Sequence, residues 1–166
     1  MRRILVACVG NVLRRDDGFG VAVARELERR QLPAELDLIE TGIGGMSVVQ
    51  QLLDGYDALI VVDAIEGEGP PGTVRTLRPV VPDPAGLAGD RWRALFANLH
   101  LAEPHRILLL ARSLGALPPE AWMVGCVPLD CDTMDEQLSP EVRAAVPRAA
   151  DEVLSLADRL LAAVPR

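Results

Sequence analysis

The sequence predicts an α/β protein, a three-layer α/β/α sandwich around a mostly parallel sheet of about five strands, with residues 1–166 forming a single domain. Three observations carry this expectation. Short apolar runs of strand length, Ile4–Val9, Leu36–Ile39, Ala58–Val62 and Ala121–Val127, alternate with stretches of helical periodicity. Most of these runs are apolar at consecutive rather than alternate positions, as strands covered on both faces require. Finally, 166 residues with 49% hydrophobic content can form one core, hiding about 70% of the unfolded chain's surface.

Taken in order, residues 3–9 read as a central parallel strand. A helix follows from Gly18 to Gln31, with Phe19, Val23 and Leu27 on one stripe and Arg25, Glu26, Glu28, Arg29 and Arg30 off it, and Pro33 stops it. Leu36–Ile39 is a short strand closed by Glu40 and the turn Thr41-Gly42-Ile43-Gly44-Gly45, after which Met46–Leu53 forms a helix stopped at Gly55. Ala58–Val62 is the most hydrophobic strand and runs directly into Asp63. The connection Glu66–Gly72 is too short for a crossover helix, so Thr73–Leu77 is expected to be a strand antiparallel to its predecessor. Pro79–Leu99 reads as irregular, with Trp92 and Phe96 spaced for one helical turn. Pro104 suits a helix's first position, and Gly115 ends that helix after Leu114. Pro128–Gln137 is an acidic loop, and Ser139-Pro140 opens a last helix whose apolar positions 142, 146, 149, 153, 156 and 160 form a core stripe. Pro147 lies inside it and is expected to kink or split it.

The stretch that organises the rest is Gly10–Gly20, Gly-Asn-Val-Leu-Arg-Arg-Asp-Asp-Gly-Phe-Gly, between the first strand and the first helix. At that edge of an open sheet α/β proteins bind their ligands. Asp16 and Asp17 would repel a phosphate, the Gly-x-Gly-x-x-Gly spacing is missing, and the chain has no lysine to serve a P-loop. A metal-facing acidic loop is the reading that remains. Because βαβ crossovers bring the strand ends to one edge, Asp16, Asp17, Glu40 and Asp63 are expected around one crevice.

Composition narrows the chemistry further. A net charge of −7 argues against a nucleic-acid partner. No apolar run approaches the roughly 20 residues of a membrane span, no cleavage site follows the opening Met-Arg-Arg-Ile-Leu-Val, and a cytoplasmic location is expected. Three cysteines suit reduced thiols: Cys8 reads as core, and Cys126 and Cys131 lack a standard zinc spacing. The lack of lysine excludes Schiff-base catalysis, no Gly-x-Ser-x-Gly elbow supports a serine triad, and 3% aromatics argues against a sugar cleft. What is left is a carboxylate and imidazole set suited to a divalent transition metal. His100 and His105 are the only imidazoles, and either a ligand or a structural role is open to His100, in the loop before a helix. Asp63 is either a metal ligand or a cap for a neighbouring turn, since a buried acid needs a partner.

These residues resemble the hydrogenase maturation proteases, the endopeptidases that process the large subunit of nickel-iron hydrogenases. The resemblance rests on Gly10–Gly20, on Glu40–Met46, on Val61-Val62-Asp63-Ala64, on His100-Leu101-Ala102-Glu103-Pro104, on Val124-Gly125-Cys126 and on Leu138-Ser139-Pro140-Glu141-Val142. Thr41 and Ile43 depart from the pattern, standing where glycine and threonine are usual. The resemblance implies three metal ligands, Asp17, Asp63 and His100, which would also be the catalytic residues. Asp16 would support them, Glu40, Gly42 and Gly44 would form the substrate loop, and His105 falls outside the pattern. It further implies one cut near the carboxyl terminus of a hydrogenase large-subunit precursor, after nickel insertion, with the nickel supplied by that substrate and no organic cofactor. A monomer is expected. The rival reading is a nickel-binding assembly factor that holds metal without cutting; a nucleotide-binding module is a weaker third.

Overall fold

The computed structural model describes residues 2–86, 89–90 and 103–163. The elements follow the expected order: β1 (Ile4–Val9), α1 (Phe19–Glu28), β2 (Leu36–Gly42), α2 (Gly45–Leu52), β3 (Ala58–Ala64), β4 (Val74–Leu77), α3 (Pro104–Ser113), β5 (Glu120–Cys126) and α4 (Pro140–Ala162). They build one five-stranded sheet in the order β2-β1-β3-β5-β4, with only β4 antiparallel to its neighbour. No described helix is long and apolar enough to cross a membrane.

The consecutive apolar residues of β1 have a direct explanation: alternate side chains of a strand point to opposite faces, and both faces are covered. Ile4, Val6 and Cys8 pack with Ile60 and Val62 in a core closed by α1 and α4. Leu5, Ala7 and Val9 pack with Leu59 and Val61 in a second core, closed by α2 and α3. The stripes read from periodicity are buried, Phe19, Val23 and Leu27 on α1 and residues 142, 146, 149, 153, 156 and 160 on α4.

Several boundaries and one pairing differ from expectation. A 3-10 turn over Arg15–Gly18 precedes α1, and α1 ends at Glu28, where the N–H groups of Arg29 and Arg30 turn back to Glu26 and Leu27 and tighten the last turn. The Arg30 side chain is meanwhile drawn to Glu26 and to Asp151 on α4. Strand β2 runs on to Gly42 because β1 pairs with it as far as Val9, with an irregularity that leaves Thr41 out of register. Strand β5 is shifted by one residue, to Glu120–Cys126. Strand β4 runs opposite to β3 but does not pair with it: β5 inserts between them and hydrogen-bonds both. The four-residue β4 thus becomes a short edge strand, the kind least prone to unwanted pairing. Helix α4 is continuous through Pro147. The bond that proline removes is to Arg143, and both residues are exposed, so the freed carbonyl is left on the solvent side of the helix. Within Pro79–Leu99 the described part holds a 3-10 turn at Pro84–Gly86; Trp92 and Phe96 lie outside the described residues.

Candidate active site

Connections from β1 lead to β2 on one side of the sheet, whereas β3 continues toward β5 on the other. The strand order therefore reverses between β1 and β3, and the crevice beyond their carboxyl ends is where such sheets place ligands. Asp63 stands at the penultimate position of β3, and Asp17 belongs to the turn that follows β1.

The turn is fixed by its own backbone. Gly10 takes φ +144° and lies so close beneath the Asp17 carbonyl that a Cβ there would overlap it. Asn11 N–H donates to that carbonyl (3.1 Å), Asp17 N–H donates to Arg14 O (3.0 Å), and Leu13 N–H donates to Asn11 Oδ1 (3.0 Å). Gly10 N–H in turn donates to Gly42 O (3.0 Å), joining the first turn to the end of β2. At the base of α1, a Cβ on Gly20 would strike the carbonyls of Val9 and Val62, so this glycine lets the helix lie directly on β1 and β3.

The two neighbouring acids of the turn have opposite fates. Asp16 is 0% exposed and accepts four hydrogen bonds from the loop after β5: Leu129 N–H (2.9 Å) and Asp130 N–H (3.1 Å) at Oδ2, Ser139 N–H (2.7 Å) at Oδ1, and the Ser139 hydroxyl (2.9 Å) at Oδ2. It fastens two loops together and has no free face for a ligand. Asp17 is half-buried and carries no ion pair among the described residues. Asp63 is 5% exposed, and its Oδ1 accepts from the Ala64 N–H (2.8 Å). Burial first, and the Asp17 charge second, raise the Asp63 carboxyl well above its ordinary range; burial also raises Asp17, against the pull of Arg14 and the Asn11 N–H. Two acids that repel each other, one nearly inaccessible and one half-buried, with no described cation paired to either, form an unbalanced pair that a divalent ion would neutralise.

The other sequence candidates divide as follows. Glu40 is exposed and lies opposite Cys8 in the β1–β2 register, on the α1 face, whereas Asp63 shares the alternation of Leu59 and Val61 on the α2 face. The structure therefore does not bring Glu40 to the acid pair. Gly42, at φ +52°, gives its carbonyl to Gly10, and Gly44 is the residue before α2. His100 lies outside the described residues; α3, which follows it, begins at this same edge and runs to the opposite one, where Leu114 and Gly115 meet Leu53 and Gly55. His105 is exposed on α3 and faces Glu103 (3.3 Å). Among the described residues no three of the His, Cys, Asp and Glu side chains form a metal-binding group.

Two residues here were not assigned by sequence reasoning. Ser139 was legible only as the residue before a helix; its side chain caps nothing and goes to Asp16 instead. Cys131 lies near the acids: burial, then the charges of Asp17, Asp16 and Asp63, push its thiol up to about 12. Cys8 and Cys126 are buried free thiols in the core.

Fold and site together define an α/β sandwich whose sheet-edge crevice presents an acid pair fit for a divalent ion. Comparison with known proteins narrows that class. The profile of the hydrogenase maturation protease family matches residues 21–156. The hydrogenase 2 maturation protease of Escherichia coli is 31% identical over 174 residues, covering 99% of this chain and 96% of that protein. The hydrogenase expression/formation protein HupD of Bradyrhizobium diazoefficiens is 33% identical, covering 90% of this chain and 74% of that one. Among solved structures, the hydrogenase maturating endopeptidase HybD from E. coli superposes with a TM-score of 0.72 at 30% identity, covering 95% of this chain and 93% of the other. The hydrogenase 2 maturation peptidase of a Thaumarchaeota archaeon does so with a TM-score of 0.68 at 36% identity, covering 95% and 99%. The chain belongs to the hydrogenase maturation protease family, and its activity is that of an endopeptidase.

Proposed function

We propose that this endopeptidase removes the C-terminal extension of a nickel-iron hydrogenase large-subunit precursor after nickel has been inserted, and that it recognises the precursor by its nickel. The observation that carries the reading is the Asp17–Asp63 pair: a nearly inaccessible carboxyl and a half-buried one, each raised by burial, held together by the Gly10 turn without a described counter-ion. Such a pair is costly alone and is relieved by a divalent ion arriving with the substrate.

His100 supplies the third ligand in this reading. It is four positions ahead of Pro104, and α3 starts at the edge that carries Asp17 and Asp63; four residues span at most about 14 Å. Asp17 and Asp63 hold the substrate's metal, and Asp16 keeps the turn that bears Asp17 anchored to the loop 128–139. The metal supplies a Lewis acid for the scissile carbonyl.

The test is intact-mass analysis of a precursor incubated with the enzyme, once loaded with nickel and once nickel-free. The loaded form should lose its extension while the free form stays whole. Equal cutting of both removes the nickel gate; an uncut loaded precursor that nevertheless binds the chain makes it a nickel-holding assembly factor instead.

A further inference from the structure

The rim of the crevice carries exposed apolar side chains that the chemistry does not call for: Val12, Leu13, Ile43, Met46, Leu129 and Met134. Single exposed apolar residues are ordinary, whereas grouped ones mark contact surfaces. Three of these are grouped by hydrogen bonding. Asp135 N–H donates to Leu13 O (3.2 Å) and Arg15 N–H donates to Asp135 O (2.7 Å), so the first turn and the loop after β5 pair as a short parallel bridge at Arg14 and Asp135. Leu13 and Met134 each precede a bridge partner and are neighbours in register, 48% and 72% exposed. Leu129 is exposed on the same loop as Met134, and its N–H is bound to the buried Asp16 of the first turn. Leu13 and Met134 therefore stand side by side, with Leu129 exposed on the same loop, as a ridge on two loops clamped to each other; Leu13 is four residues along the chain from Asp17.

Charge along the ridge is uneven. Arg14 pairs with Asp132 (2.9 Å) and Arg15 with Asp130 (3.5 Å), while the exposed Asp135 and Glu136 have no cationic partner among the described residues. A pre-formed apolar surface with unanswered negative charge at its margin suits an apolar segment that carries a basic group.

We propose that the Leu13–Leu129–Met134 ridge docks the substrate polypeptide itself, an extended apolar segment with a basic residue set against Asp135 and Glu136, so that the adjoining bond falls over Asp17 and Asp63. This rests on the peptidase reading given above. It assigns the β5 side of the crevice to recognition of the chain flanking the cut and leaves the acid pair to the metal.

The experiment compares three forms of the enzyme with a nickel-loaded large-subunit precursor: wild type, the ridge double variant Leu13→Ser/Met134→Ser, and a control, Leu53→Ser/Leu114→Ser, equally apolar and exposed but at the opposite edge of the sheet. Affinity is read by biolayer interferometry and cleavage as KM and kcat. The ridge variant should bind about tenfold more weakly and raise KM by about the same factor with kcat kept, the loss typical of truncated interface anchors; the control should stay within about twofold on both. Unchanged affinity and KM in the ridge variant overturn the docking surface while leaving the peptidase intact. So does a wild-type dimer, seen by light scattering, that the ridge variant splits, because the surface then belongs to a second copy. A wild type that cuts loaded and nickel-free precursor alike ends the nickel reading, and the ridge is then decided on KM alone.

Discussion

Removing the Asp16 carboxylate should unfasten the turn that bears Asp17 from the loop that follows β5. In Asp16→Ala, the N–H and hydroxyl of Ser139, both buried, lose their acceptor, and so do the N–H groups of Leu129 and Asp130. A hydrogen bond to a charged group contributes about 1.5–3 kcal/mol, and a buried donor left without a partner costs about 1–3. The two bonds at Ser139 have no access to water, whereas Leu129 and Asp130 lie nearer the surface and can recruit it. Counting the Ser139 pair in full, the other two at little, and returning part of the cost of burying a charge gives a destabilisation of about 3–5 kcal/mol. That is a large share of the usual 5–15 kcal/mol stability of a domain. Ser139→Ala keeps three of the four bonds and should cost about 1.5 kcal/mol. Urea denaturation at neutral pH measures both, and hydrogen exchange should show the 128–139 amides losing protection in Asp16→Ala before those of β1 do. If Asp16→Ala falls within about 1 kcal/mol of wild type, these bonds do not hold the loops together.

Other outcomes follow from the same geometry. Asp17 and Asp63 are both raised in the folded chain above the roughly 3.9 of an unfolded aspartate. From that value up to their folded pKa the native state binds more protons than the unfolded one, so stability should fall as pH rises through this window. Asp63→Asn should flatten the fall, as read from urea midpoints across the acid to neutral range. Gly20→Ala places a methyl group against the carbonyls of Val9 and Val62 and should cost about 3 kcal/mol or prevent folding, visible in the thermal midpoint. His100→Ala should abolish cleavage of loaded precursor with the circular dichroism spectrum unchanged, whereas His105→Ala, whose described contact is an exposed pair with Glu103, should cut normally. The opposite pattern would shift the third ligand to His105.

Much of the architecture was legible in the sequence because it depends on local signals that burial then reinforces. The uninterrupted apolar residues of Ile4–Val9 required cover on both faces, and that placed β1 centrally, between β2 and β3. Partnering of β4 was not legible: direction follows from the length of the connection after β3, but adjacency depends on whether β5, more than forty residues later, docks first on the edge of β3. The convergence of Asp17 and Asp63 on one edge was readable because βαβ units make their strands parallel, so that the carboxyl ends of β1 and β3 lie together.

What no periodicity reveals is why Asp16 and Asp17, neighbours of identical chemistry, part company. Arg15 holds φ +47°, in the left-handed region that an arginine enters only at a cost of about 1–2 kcal/mol. That conformation starts the 3-10 turn and lets Arg15 N–H and Asp16 N–H reach the carbonyls of Asp135 and Asp130, so the 128–139 loop holds the turn in place from outside. Asp16 is then rotated toward Ser139 and Asp17 toward the crevice. Glu40 shows the same dependence in reverse: its position at the end of β2 suggested a fourth carboxylate, but strand alternation, fixed by its pairing with Cys8, sends it to the α1 face. Placement at a sheet edge can thus be read from topology, while the direction of each side chain there is decided by the loop that packs against it. A Gly substitution at Arg15 separates the two contributions: if strain alone matters it should stabilise the chain by about 1 kcal/mol, and if the Arg15–Asp130 pair also holds the turn the gain should disappear.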